Sequence, residues 1–126
     1  MTRVTGIGGI FIRARDPDTL RAWYRAHLGL EIQDWGGVTF RWTEPEGVTV
    51  WSVFPATSRY FDPSIAPFMV SYRVKNLARV LADLRAEGCA VEERIEESEH
   101  GRFGWVLDLE GNKVELWEPP PGRFPG

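Results

Sequence analysis

The chain writes one phrase twice. EPEGVTVWSVFP fills residues 44–55 and LEGNKVELWEPP fills residues 109–120, and each runs from an acidic turn through a glycine into a strand-like run. Internal repetition constrains a fold more tightly than composition does, because each copy is one supersecondary unit that needs its neighbour to bury its apolar side. The two copies differ at one telling place: Trp51 stands in the first where Glu115 stands in the second.

The elements leading up to each copy also repeat. Ile10, Ile12 and Ala14 alternate with Gly9, Phe11 and Arg13, which predicts a strand over Gly9 to Ala14. Asp16 followed by Pro17 opens a helix, since Asp accepts from the free N–H groups and Pro loses nothing at the first helical position. Leu20, Trp23, Tyr24 and Leu28 share one side of it, and Gly29 supplies the left-handed stop. Strand-like runs follow at Leu30 to Gln33, Val38 to Trp42 and Val48 to Phe54.

The second half begins with a strand over Phe68 to Val74, then a helix capped by Asn76 with Leu77, Val80, Leu81 and Leu84 at helical spacing, stopped by Gly88. Strands are predicted over Ala90 to Ile95, Phe103 to Leu107 and Lys113 to Glu118. Both halves therefore read β-α-β-β-β, as module one over 5–54 and module two over 68–118. Residues 55–67, rich in Pro, Ser and Asp, read as a linker, and the tail 119–126, PPPGRFPG from Pro119, reads as extended chain.

At 126 residues the chain suits a single domain, and 43% apolar with 13% aromatic residues suffices for a packed core. A net charge of −3 with scattered arginines gives no basic surface for nucleic acid. No apolar run is long enough for a membrane span and the N-terminus lacks a signal-like stretch, so a soluble, cytoplasmic protein is expected. Cys89 is the single cysteine, which excludes an internal disulfide and a cysteine-based zinc site; it reads as a small buried hydrophobe beside a turn. GIGG at residues 6–9 precedes its strand and lacks the dinucleotide-binding spacing.

RARDPDTLRAWYRAHLGLEI at 13–32 and GWVLDLEGNKVELWEP at 104–119, set in a paired βαβββ plan, resemble the vicinal oxygen chelate superfamily of glyoxalases, extradiol dioxygenases, fosfomycin-modifying enzymes and bleomycin-resistance proteins. WYRAHLGL followed by GNKVELWEP is specific to the superfamily and not to one activity. The resemblance implies an α+β fold in which two βαβββ modules form a half-open mixed β-barrel. Its concave face is a ligand cup, its helices lie outside, and the protein is commonly a homodimer.

Enzymes of this superfamily place metal ligands at four equivalent points, a His opening the first strand of each module and a carboxylate on each last strand. Carried onto this chain, those positions are Gly9, Met69, Trp51 and Glu115. Glycine offers no side chain, indole no lone pair, and a thioether suits soft copper(I), so Glu115 alone remains and no metal or other cofactor is expected there. His27 falls in the last turn of the first helix, and His100, in the loop ESEHGRFG, would be a lone ligand.

Alternation along the strands groups Phe11 and Arg13 with Gly9, Arg73 with Met69, and Lys113 and Trp117 with Glu115. With Trp51, Trp42 and Trp105 these give a ligand-binding set of Phe11, Arg13, Trp42, Trp51, Met69, Arg73, Trp105 and Trp117. Glu115 is the catalytic candidate, as base or as anchor. The structural alternative for Glu115 is an ion pair with Arg13 or Arg73 that fills the cup. The resulting expectation is a bleomycin-resistance-like protein that binds an aromatic or cationic small molecule without metal. The alternative is a lyase, isomerase or dioxygenase, metal-assisted or using Glu115 as base. The acidic run EERIEESEH reads as a solvated edge strand and loop.

Overall fold

The computed structural model of the protein describes residues 10–41 and 48–121. Helix α1 spans Pro17–Leu28, with the Asp16 side chain accepting from the Thr19 N–H and Gly29 in the left-handed region at φ 67°. Helix α2 spans Leu77–Ala86 and is capped in the same way, Asn76 accepting from the Arg79 N–H. Past its end Gly88, at φ 83°, turns the chain so that the Cys89 N–H reaches the Leu84 carbonyl at 3.0 Å. Both caps are the ones the sequence predicts.

Five strands follow the second half of the chain: β1 Val70–Arg73, β2 Ala90–Val91, β3 Glu96–Ser98, β4 Gly101–Leu107 and β5 Lys113–Glu118. They form an open mixed sheet in the order β1-β5-β4-β2, with β3 hairpinned onto β4. β1 runs parallel to β5, Ser71 opposite Glu115, while β4 and β5 are antiparallel with Trp105 opposite Glu115. The fold class is thus α+β with an unclosed sheet. The strand expected over Ala90 to Ile95 is two residues long, and β3 takes up the pairing further on, its side chains exposed as the acidic run predicts. Among the described residues no helix is long and apolar enough to cross a membrane.

The core lies between the helices and one face of the sheet. Leu77, Leu81 and Leu84 of α2 pack with Val106, Val114 and Leu116, and Leu20 and Tyr24 of α1 join them. Gly104 permits the close seat of α2, because a Cβ there would stand 2.8 Å from the buried Leu81 Cδ1. Burial of this kind contributes about 1.5–3 kcal/mol for each large aliphatic side chain.

The helix of the first half is tied to the second half by polar contacts at a hairpin turn. Asp108, 5% exposed, accepts from the backbone N–H groups of Glu110 and Asn112 and from Asn112 Nδ2, which folds the β4–β5 turn around it. Its Oδ2 also accepts from the Tyr24 hydroxyl at 2.8 Å, across 84 residues of sequence. From the same turn, Glu110 accepts from the N–H groups of Arg15 and Asp16 at 2.9 Å each, just ahead of α1.

The strands predicted in the first half do not join this sheet. Among the described residues, 10–14, 30–33, 38–41 and 48–54 make no ladder, and Gly9 and Trp42 lie outside those described. Alternation of apolar side chains makes a run strand-competent, but a strand exists only where a neighbour supplies the hydrogen bonds. All five observed strands pair among themselves and leave Phe11 93%, Trp51 78% and Val53 78% exposed. Among the described residues the sheet is thus unclosed and built from the second half of the chain, with both helices packed against it.

Replacing Tyr24 by Phe removes one bond to a carboxylate and is expected to lower stability by about 1.5–3 kcal/mol. Asp108→Ala should cost more, since it also orphans the turn amides. Urea unfolding at constant m-value checks both, and equal losses would show that the turn contacts contribute nothing.

Candidate functional site

Residues of β4 and β5 that do not face the helices face the other way. On β5 these are Lys113, Glu115 and Trp117, and on β4 they are Phe103, Trp105 and Leu107. Charged groups on that face are buried: Lys113 is 5% and Glu115 8% exposed, and Trp105 between them is 1% exposed. Such burial is tolerable only where each charge finds partners.

The partners come from the segment that the sequence presents as a linker. Residues 55–67 contain turns and fold over the sheet, with Phe54 stacked on Tyr60 at 5.4 Å and also packed on Phe61. The Tyr60 hydroxyl donates to Glu115 Oε2 at 2.7 Å, and the Trp105 indole N–H donates to the same oxygen at 3.2 Å. The Tyr60 ring meets Trp105 edge-on, at 5.8 Å and 87°. Lys113 Nζ donates to the Tyr60 carbonyl at 2.7 Å and lies 3.6 Å from Glu92 Oε2. The Arg94 guanidinium sits over the Trp105 ring, 4.4 Å from its centroid.

Two cavities adjoin this cluster and share Asp62, Glu92 and Lys113 in their walls. One, of about 260 Å³, reaches Trp105, Val106 and Leu107; the other, of about 600 Å³, is bounded by Ser58, Arg59, Tyr60 and Arg94. The larger has the volume of a small-molecule site but is open to solvent and lined mostly by charged side chains.

The site residues expected from sequence are distributed unevenly about this cluster. Glu115 and Trp105 are at its centre. Trp117 is half-buried on the same face further along β5, where its indole N–H donates to the His100 carbonyl at 2.8 Å. Its ring stacks on Phe103, 9° from parallel at 6.2 Å. Met69 is half-buried just before β1, Arg73 is exposed at its end, and Phe11, Arg13 and Trp51 are exposed. Trp42 lies outside the described residues. The ion pair considered between Glu115 and Arg13 or Arg73 is absent among the described residues; neutral O–H and N–H donors take its place.

Tyr60 and Arg94 are the residues sequence reasoning missed. The one available signal was the aromatic run Tyr60–Phe61 in a segment otherwise rich in Pro, Ser and Asp, which a solvated linker does not require.

The four positions of a superfamily-type metal centre do not assemble a donor set. Position 9 is a glycine outside the described residues, Trp51 is exposed, and Met69 offers a thioether. The Glu115 carboxylate is already engaged by a phenol and an indole. These residues do not fit a divalent metal ion.

No protein-family model matches the chain, and no curated protein sequence does. Solved structures do match. A glyoxylase/bleomycin resistance protein/dioxygenase domain from Frankia sp. EAN1pec superposes with a TM-score of 0.58 at 18% identity, covering 95% of this chain and 96% of that one. TioX from Micromonospora sp. ML1 gives a TM-score of 0.50 at 18% identity, over 86% of this chain and 92% of that one. The chain thus shares the vicinal oxygen chelate fold with them, as its sequence predicts.

All three tyrosines are held in the neutral form. Burial raises Tyr24 and Tyr72 first, with the Asp108 charge adding to it; burial and then the bond to Glu115 raise Tyr60. A folded value above the unfolded one, about 10, contributes stability below that pH and loses it as the pH rises further. Alkaline titration should therefore show no phenolate near pH ~10, the absorbance appearing only as the chain unfolds. A tyrosine half-ionised near that pH in folded protein would contradict the packing described.

Proposed function

We propose that the chain is a small-molecule-binding protein that takes a ring-bearing aromatic compound against the inner face of its sheet, with no metal at the superfamily positions. The observation that carries this is the convergence of the Tyr60 hydroxyl and the Trp105 N–H on Glu115, beside a cavity of about 600 Å³. Tyr60 lines the larger cavity and Trp105 the smaller one beside it, among the charged groups of Asp62, Glu92, Arg94 and Lys113, so a flat guest would meet one or two rings and several polar partners. Between the aromatic and cationic guests that the sequence allows, the first is favoured. Arg94 and Lys113 already occupy the cation positions at the Trp105 ring, so a cationic guest would have to displace internal charges.

In the same reading the protein is a homodimer of two-module chains. The first-half runs carry Ile10, Phe11, Val50, Trp51 and Val53 on the surface, all strand-competent and unpaired in the single chain. Apolar exposure on this scale marks an interaction surface, and a second copy of the chain covers it.

An enzymatic reading rests on one further detail. Both donors to Glu115 reach Oε2, and no donor among the described residues reaches Oε1, which leaves that oxygen to accept a proton from a guest. A lyase or isomerase working through Glu115 follows from it.

Tryptophan emission should be quenched saturably by a ring-bearing compound, and Trp105→Phe should reduce the quench and weaken binding about tenfold, equivalent to ~1.4 kcal/mol. Quenching unaffected by Trp105→Phe would place the guest elsewhere. Glu115→Gln keeps an acceptor for both donors, so a binder retains affinity within about threefold. If Glu115 is a base, the same substitution abolishes turnover while binding remains.

A further inference from the structure

On the helix side of the sheet, away from the cup, three metal-ligating side chains of different chemistry meet. One donor atom each of His27, Glu87 and Cys89 lies within 4.8 Å of the others. His27 is in the last turn of α1, Glu87 is the C-cap of α2, and Cys89 follows the left-handed Gly88, so the backbone of all three is fixed by helix ends. Glu87 N–H bonds to the Asp83 carbonyl and Cys89 N–H to the Leu84 carbonyl, at 3.0 Å each, which fixes the turn from which both side chains extend. His27 Nδ1 stands 2.7 Å from Glu87 Oε1, and the Trp23 ring lies 5.2 Å from the imidazole. His27 and Cys89 are half-buried and Glu87 is exposed, which gives the cluster an apolar floor and one open side.

We infer that His27, Glu87 and Cys89 bind one zinc ion, with water in the fourth position. Imidazole nitrogen, thiolate sulfur and carboxylate oxygen are the donors zinc takes, at about 2.0–2.3 Å from the ion. Tetrahedral geometry sets such donors roughly 3.3–3.8 Å apart. The His27–Glu87 contact, at 2.7 Å, is shorter than that range and the other pairs lie within 4.8 Å, so an ion would need the His27–Glu87 contact to open by about an ångström. Softer sulfur and borderline nitrogen favour zinc over magnesium or calcium. Binding releases the Cys89 thiol proton to solvent.

A reactive, redox-active cysteine is the competing use of this cluster. Burial, with the Glu87 charge adding to it, pushes the Cys89 thiol up, which disfavours the free thiolate a nucleophile needs. A metal removes the proton outright.

The ion would join α1 of the first half to the end of α2 in the second, 60 residues apart in sequence. It is therefore a structural clamp, independent of what the cup binds.

The test uses the untagged full chain, zinc chloride alone, and cobalt(II) as a spectroscopic stand-in. One zinc per chain should survive gel filtration, the cobalt form should show a thiolate-to-metal charge-transfer band, and zinc should raise the melting temperature. Cys89→Ser and His27→Gln should each weaken zinc at least tenfold and abolish the melting shift, while Glu115→Gln changes none of these. Circular dichroism of the metal-free variants confirms that they fold. No retained zinc, zinc retained equally by both variants, or zinc lost in Glu115→Gln would each overturn the inference, and the last would also overturn the metal-free reading of the cup.

Discussion

The buried carboxylate of Asp108 is the contact on which the arrangement of the two halves depends. An ionised group taken out of water is costly unless its lone pairs are filled, and here two backbone amides, an amide side chain and a phenol fill them. Three of those donors are local and shape the β4–β5 turn, while the fourth belongs to α1. A turn that needs an outside donor specifies where the first helix must lie, which apolar packing alone would leave to slide. Glu110, next but one in the turn, extends the same control to the chain entering α1.

From that turn the two strands diverge with a fixed division of labour. Even-numbered residues of β4 and β5 go to the helices, and odd-numbered ones go to the opposite face, where Lys113, Trp105 and Glu115 sit. A slip of one residue would place two charges in the aliphatic core, so the register is strongly specified. The site exists because the face not needed by the core was given charge and aromatic surface together, then roofed by residues 54–61.

Much of this was legible in the sequence, and the reason is locality. Caps at Asp16 and Asn76, glycine stops at Gly29 and Gly88, and the alternation in Lys113 to Glu118 all act within a few residues. Lys113, Glu115 and Trp117 could be placed on one face by counting alone, and Trp105 came near them through the fold the sequence resembles. Tyr60 could not, because its partner Glu115 is 55 residues away and nothing local distinguishes a phenol that covers a sheet from one in a linker. The first-half strands mark the opposite failure. Their alternation is local and real, but pairing is a property of two segments, and the pattern in one says nothing of whether the other is there. The zinc cluster runs against the expectation from a lone cysteine, which argues against a cysteine-based site, because a mixed set drawn from two helix ends carries no spacing motif.

Tyr60 is gripped at two points by alternate residues of one strand, its carbonyl by Lys113 and its hydroxyl by Glu115. Neither hold can be released by a side-chain rotation alone without leaving a buried charge short of a partner. Lifting residues 54–61 off the sheet would break both holds together, so the placement of this segment is tied to the pairing of two buried charges on alternate residues of one strand.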